Sequence, residues 1–206
     1  MDLPEAGFVY CCFNNDYKIL PAMFDCWMRV LTAVEGSVLW LFEDNSAVVQ
    51  NLRKEAEARG VAGRRLVFAP HMKRDEHLAR HRQADLFVDT LPYNAHTTAS
   101  DALWAGLPVL TCAGEAFAGR VAASLLNAVG LPDLVTHSLE EYEACAIALA
   151  QDCERLQAIK RQLDANRMTA PLFDAPRFAA HLESAYEAMI ERHRAGLPPD
   201  RIEIQA

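Results

Sequence analysis

The sequence lacks the glycine patterns by which many nucleotide sites declare themselves. It has no Gly-x-Gly-x-x-Gly and no Gly-Lys-Ser/Thr, which argues against a dinucleotide dehydrogenase and a phosphate-loop NTPase, both of which bring backbone N–H groups close to phosphates through glycine. Asp-x-Asp, Cys-x-x-Cys and His-Glu-x-x-His are also missing, so the common spacings that hold a metal are absent. No stretch approaches the roughly 18 apolar residues of a membrane helix. The opening Met1-Asp2-Leu3-Pro4-Glu5 puts acid where a secretory leader carries positive charge. Basic residues are outnumbered, 20 Lys plus Arg against 28 Asp plus Glu for a formal charge of −8. That balance argues against a general nucleic-acid binder, which needs a cationic surface to displace counterions. The expectation is a soluble, cytoplasmic protein with neither membrane nor nucleic-acid partner.

What is present is ordinary globular material. The chain has 206 residues, 51% hydrophobic and 23% charged, enough for one sizeable domain or half of a larger enzyme. Six cysteines, two of them adjacent at Cys11 and Cys12, read as reduced core thiols.

Gly7 to Phe13 is a short apolar, β-rich run. Pro21 to Val34 has helical spacing, with Met23, Trp27, Val30, Leu31 and Val34 on one stripe. The alternation continues: strands at 37–42, 65–69, 86–89 and 108–112, and helices at 46–60, 75–83, 97–105 and 120–129, with glycines marking three of the helix ends. Strands separated by helices in this way predict βαβ units, and hence a Rossmann-like parallel sheet with helices on both faces. After about residue 138 the strand signal stops, and 139–166 and 176–195 read as amphipathic helices.

In open parallel sheets ligands sit beyond the carboxyl ends of the strands, so the loops after Phe13, Ala69 and Asp89 carry the candidate chemistry. The first holds Asn14, Asn15, Asp16, Tyr17 and Lys18, the second Pro70 to Arg74 with Met72 among them, then His77 and Arg80, and the third runs from Asp89 through Tyr93-Asn94-Ala95 and His96-Thr97-Thr98 into a helix containing Asp101. Hydroxyls and unpaired N–H groups at a helix start suit a phosphate or diphosphate. Asp101, one turn deeper on the same face, could accept from a ribose diol. The same residues also fit a plain cap, with Thr97 or Thr98 capping the helix and Asp101 completing a capping box. Lys18 is either a charge for a departing phosphate or solvated surface. His71, His77 and His81 could be imagined as a zinc site, although no cysteine or glutamate pattern supports it.

Phe13-Asn14-Asn15-Asp16-Tyr17-Lys18-Ile19, Glu76-His77, Asn94-Ala95-His96-Thr97-Thr98, Asp101-Ala102-Leu103-Trp104-Ala105-Gly106 and the stretch from Gly114-Glu115 to Ser124 resemble the O-linked N-acetylglucosamine transferase family. The resemblance runs in order over nearly the whole chain and covers only that family's carboxyl-terminal catalytic lobe. It implies a GT-B fold whose second Rossmann-like lobe holds a UDP-sugar without a metal or other cofactor, in an enzyme that inverts the anomeric centre while transferring N-acetylglucosamine to protein Ser or Thr.

On that resemblance, Lys18 contacts the diphosphate and stabilises the leaving UDP. His96, Thr97 and Thr98 surround the phosphates, Asp101 holds the ribose, and His77 stacks on uracil with Met72 in the same nucleotide site. Arg74 stands where the family has a lysine and Asn15 where it has a glutamine. Ala95 replaces a glycine, which asks whether the loop still reaches a positive φ. His96 and Asp101 favour UDP over GDP.

The chain is expected to divide into a nucleotide-sugar-binding core over 1–137 and a helical segment over 138–206 packing on the same lobe. The partners implied are the missing amino-terminal lobe, tetratricopeptide repeats and protein acceptors, and the lobe alone is expected to be nearly inactive. Two alternatives stay open: a non-catalytic interaction module that keeps the fold, and another GT-B enzyme such as a UDP-glucose transferase or an epimerase.

Overall fold

A strand covered on both faces needs apolar side chains at consecutive positions rather than at alternate ones. That is the pattern of β1 (Val9–Cys12), whose four residues are all buried. The computed structural model describes residues 3–204. In it β2 (Val38–Phe42), β3 (Leu66–Ala69), β4 (Leu86–Val88) and β5 (Val109–Cys112) follow the pattern closely, departing from it only at the half-buried Phe42 and Phe68 and the polar but buried Thr111. Between them run α1 (Pro21–Ala33), α2 (Ser46–Ala58), α3 (Arg74–Arg80) and α4 (Thr97–Trp104). Pro21 opens α1, where a missing N–H costs nothing. Gly106, at φ +86°, closes α4, a conformation that glycine adopts without a Cβ penalty.

Beyond β5 come α5 (Val121–Ala128), a two-residue strand β6 (Val135–Thr136), and then α6 (Leu139–Gln151), α7 (Cys153–Asn166) and α8 (Ala175–Arg194). The sheet order is β3-β2-β1-β4-β5-β6, and every neighbouring pair is parallel. The chain winds outward from β1 in one direction, returns, and winds outward from β4 in the other. With right-handed crossovers this places helices on both faces, and it opens a crevice at the carboxyl ends of β1 and β4.

Three details differ from the sequence pattern. β6 was not expected, because two residues carry no period; it forms by pairing Thr111 with Val135 and Cys112 with Thr136. The helical pattern over 139–166 is broken at Asp152, whose carboxylate accepts from the Arg155 N–H at 2.9 Å and so starts α7 afresh. The helix expected over 75–83 ends at Arg80, and a single 3-10 turn, His81–Gln83, finishes it.

The helices after β6 join the core through polar contacts that the apolar pattern does not reveal. Tyr142 of α6 is fully buried; its hydroxyl accepts from Trp27 Nε1 of α1 at 3.2 Å and donates to the Asp89 carbonyl at 3.0 Å. The Tyr10 hydroxyl of β1 donates to the Ala146 carbonyl at 2.9 Å. By contrast α8 has no buried residue, and Phe178, Leu182, Tyr186, Met189 and Ile190 form an exposed apolar stripe along it at helical spacing. Among the described residues no helix is long and apolar enough to cross a membrane.

At the crevice, Asp89 follows β4 and is buried. Its carboxylate accepts from the Thr111 hydroxyl at 2.7 Å, the Ala95 N–H at 2.6 Å, the Thr90 N–H at 2.7 Å and the Asn14 amide at 3.3 Å. Burial pushes the carboxyl up to about 6, and these four donors pull against that rise. Asp89→Asn turns one acceptor into a donor facing other donors, so an unfolding free energy lower by about 2–3 kcal/mol is expected. Urea denaturation followed by tryptophan fluorescence measures it, and a change below about 0.5 kcal/mol would show that the network does not hold the crevice together.

Candidate functional site

The loops that follow β1, β3 and β4 enclose two neighbouring clefts that share Asn15. The first, about 320 Å³, is lined by Phe13, Asn15, Phe42, His71, Met72, Arg74, His77 and Arg80. It is aromatic on one side: the Phe13 and His77 rings lie 5.5 Å apart and His77 and His81 4.8 Å apart. Burial lowers His77 to about 4, helped by the charge of Arg80 and by His81 and His71, so its ring is neutral near pH 7.

Arg80 is a functional candidate to which the sequence pattern assigned no role. It is 2% exposed, its Nη1 donates to the Pro70 carbonyl at 2.8 Å, and its guanidinium lies 4.4 Å from the Phe13 ring centroid. Its Nε has no partner, and among the described residues no carboxylate pairs with it. Burial accordingly lowers its pKa. A buried cation without a counter-ion is costly, which marks the wall of this cleft as a place where donors await an acceptor. The available signal was its position three residues after His77, on the same helix face.

The second cleft, about 240 Å³, is lined by Asn14, Asn15, Tyr17, Lys18, Tyr93, His96, Thr97 and Thr98. Lys18 donates to the Asn94 carbonyl at 2.9 Å. His96 stands at the N-cap of α4, and no side chain caps that helix, so its first N–H groups face the cleft without partners inside the helix. The capping-box arrangement is not what the residues adopt. The Thr98 hydroxyl instead donates to Asn14 Oδ1, while Asn14 Nδ2 donates to the Thr90 hydroxyl at 2.7 Å. This bridge ties the end of β1 to the start of α4, and Asn14 is the second residue that the sequence pattern left without a role.

The candidates therefore fall into groups. Met72, Arg74 and His77 line the first cleft, Lys18, His96, Thr97 and Thr98 the second, and Asn15 both. Asp101 lines neither; it is half-buried one turn into α4, close enough to His81 for its charge to oppose the lowering of that ring's pKa by burial. Ala95 needs no left-handed backbone, because only glycines have positive φ among the described residues. Its N–H donates to the Asp89 carboxylate at 2.6 Å. His71, His77 and His81 do not assemble into a ligand set, and among the described residues no group of three His, Cys, Asp or Glu could hold a metal.

The family model described as glycosyl transferase family 41 matches residues 1–182. A probable UDP-N-acetylglucosamine–peptide N-acetylglucosaminyltransferase SEC from Arabidopsis thaliana is 39% identical over 203 residues, which is 98% of this chain and 21% of that protein. A UDP-N-acetylglucosamine–peptide N-acetylglucosaminyltransferase from Caenorhabditis elegans is 36% identical over 97% of this chain and 17% of its own length. The chain thus spans about a fifth of the length of the curated relatives it matches. Among solved structures, the K341M mutant of the Thermobaculum terrenum O-GlcNAc transferase superposes with a TM-score of 0.85 at 36% identity, covering 89% of this chain and 36% of that one. The two loop clefts at the β1/β4 crevice, the parallel sheet and the match over most of the length make this chain a member of glycosyl transferase family 41.

Proposed function

We propose that this chain is the donor-binding lobe of an inverting protein O-glycosyltransferase that works without a metal, moving N-acetylglucosamine from UDP-N-acetylglucosamine to Ser or Thr. The observation that carries the reading is the pair of clefts joined at Asn15, one aromatic and sized for a base, the other lined by Lys18, hydroxyls and an uncapped helix start. A nucleotide diphosphate has the same succession of parts.

On this reading the uracil lies against His77 and Phe13, with the Arg80 guanidinium able to donate to a ring carbonyl. Arg74 and Met72 attend the ribose end of the nucleotide, Asp101 is the ribose partner that the family resemblance implies although it lies outside both clefts, and Asn15 bridges toward the phosphates. Lys18, His96, Thr97, Thr98 and the α4 N–H groups receive the diphosphate. As the acceptor hydroxyl attacks the anomeric carbon, the bond to the β-phosphate oxygen breaks and its electron pair stays on UDP. Lys18 and the helix start stabilise that growing charge. The acceptor site and the general base belong to the remainder of a longer protein, and the exposed stripe on α8 offers that remainder an apolar surface. The free thiols of all six cysteines are in keeping with a reducing cytoplasm.

Calorimetry with UDP tests the reading. Binding at submillimolar concentration is expected, weakened about tenfold or more in Lys18→Ala and in Asp101→Asn, since each removes a charge-assisted hydrogen bond. No binding at millimolar UDP, or unchanged affinity in both variants, would refute it.

A second expectation concerns pH. His77 sits lower in the folded protein, at about 4, than in an unfolded chain, so between about 4 and 6.5 the unfolded state binds more protons. Its contribution to stability is therefore complete above about pH 6.5 and is lost as pH falls toward 4. NMR titration of the histidine ring protons should find His77 unprotonated at pH 5.5, and UDP affinity should not depend on His77 ionisation between pH 6 and 8. A His77 midpoint above 6 would contradict the buried, cation-flanked ring.

A further inference from the structure

Lys18 pairs with no carboxylate among the described residues. Its ammonium has two other neighbours, the Asn94 carbonyl at 2.9 Å and the Tyr93 ring, whose centroid is 3.8 Å from Nζ. An ammonium carries three N–H donors, of which the carbonyl takes one. The negative face of an aromatic ring attracts a cation without neutralising it. A carboxylate in the same place would hold Lys18 equally well and cancel the charge that an anionic ligand needs.

The ring is itself fixed from behind. The Tyr93 carbonyl accepts from the Thr90 hydroxyl at 2.7 Å. The next residue, Asn94, is fully buried, with its N–H on the Ala118 carbonyl at 2.9 Å and its side-chain amide on the Thr90 carbonyl at 2.8 Å. Tyr93 is nevertheless 40% exposed, so an anchored backbone presents an open ring at the cleft, beside the His96 ring at 5.2 Å.

We propose that Tyr93 is the positioning residue for Lys18: its ring face and the Asn94 carbonyl hold the ammonium at the start of α4 with the charge left available to the phosphate groups of the ligand. Lysine loses considerable rotamer freedom when it is fixed. A ring that fixes it beforehand removes that cost from ligand binding. The identity of the ligand as a nucleoside diphosphate rests on the donor reading above; the pairing of Tyr93 with Lys18 does not.

The experiment uses the 206-residue chain with UDP and inorganic pyrophosphate as calorimetric probes, and NMR of the Lys18 ε-methylene protons as a probe that needs no ligand. Tyr93→Phe should keep both affinities within about twofold, while Tyr93→Leu should weaken them about three- to tenfold. In a Lys18→Met background Tyr93→Leu should cause no further loss. The ε-methylene protons should be shifted upfield by the ring in the parent chain and in Tyr93→Phe, and should return to ordinary positions in Tyr93→Leu. Equal losses in the Phe and Leu variants, a Leu effect that persists beside Lys18→Met, or ε-methylene shifts indifferent to the ring would each overturn the proposal. If neither probe binds the parent chain, the donor reading fails; if both bind and Tyr93→Leu changes nothing, the donor reading stands and the Tyr93 role fails.

Discussion

The carboxylate of Asp89 accepts hydrogen bonds from Thr111 on β5, from Ala95 and Thr90 on the loop that leads to α4, and from Asn14 at the end of β1. These donors come from separate parts of the sequence, and a single buried acceptor makes their relative positions one problem instead of three. The Asp89 carbonyl extends the arrangement to α6 and α1 through Tyr142 and Trp27. Such a hub costs desolvation, and the rise of its pKa to about 6 reports that cost. What it secures is geometry, because the loop carrying Tyr93, Asn94 and His96 cannot move relative to Lys18 without breaking charged hydrogen bonds.

Charge within the crevice follows a consistent rule. Arg80 is buried against Phe13 and a backbone carbonyl, and Lys18 rests on Tyr93 and a backbone carbonyl. Each cation is held by a ring face and one oxygen instead of a carboxylate. The chain carries a net −8, yet neither of the two clefts is lined by an acidic side chain. The side chains lining the two clefts thus include cations and no carboxylate, an arrangement suited to an anionic ligand.

The sheet was readable in the sequence because buried parallel strands write themselves as nearly unbroken apolar runs, as in Val9–Cys12 and, with Thr111 the one polar residue, Val109–Cys112. β6 and the break at Asp152 were not readable from period. One depends on a partner strand, and the other on a carboxylate competing locally for the backbone. At the site, residue type and strand-end position pointed to Lys18, His77, His96, Thr97 and Thr98, and the family resemblance added Asn15; all six line the two clefts. They were not enough to separate a helix cap from an open helix start. That difference lies in Thr98 bonding to Asn14 across 84 positions of sequence, a contact created by the sheet order. Arg80 and Tyr93 escaped for the same reason: what distinguishes them is what they touch, Phe13 in one case and Lys18 in the other.

The division of labour in the proposed transfer follows from the same inventory. Inverting attack on an anomeric carbon needs a group that takes the acceptor's proton and a group that stabilises the departing phosphate. The second cleft is rich in the latter, with an ammonium, hydroxyls and free helix N–H groups. Its one histidine is His96, whose Nε2 sits 3.3 Å from the Ala118 carbonyl oxygen, so the ring nitrogen facing that oxygen is engaged as a donor. His77, held near 4, is too weakly basic and lines the other cleft. In the proposed transfer the two clefts bind the nucleotide diphosphate and ease its departure, and the acceptor's proton is assigned to residues beyond them. The chain spans about a fifth of the length of its curated relatives, and on the proposed reading the exposed apolar stripe along α8 is surface available to the part that takes the proton.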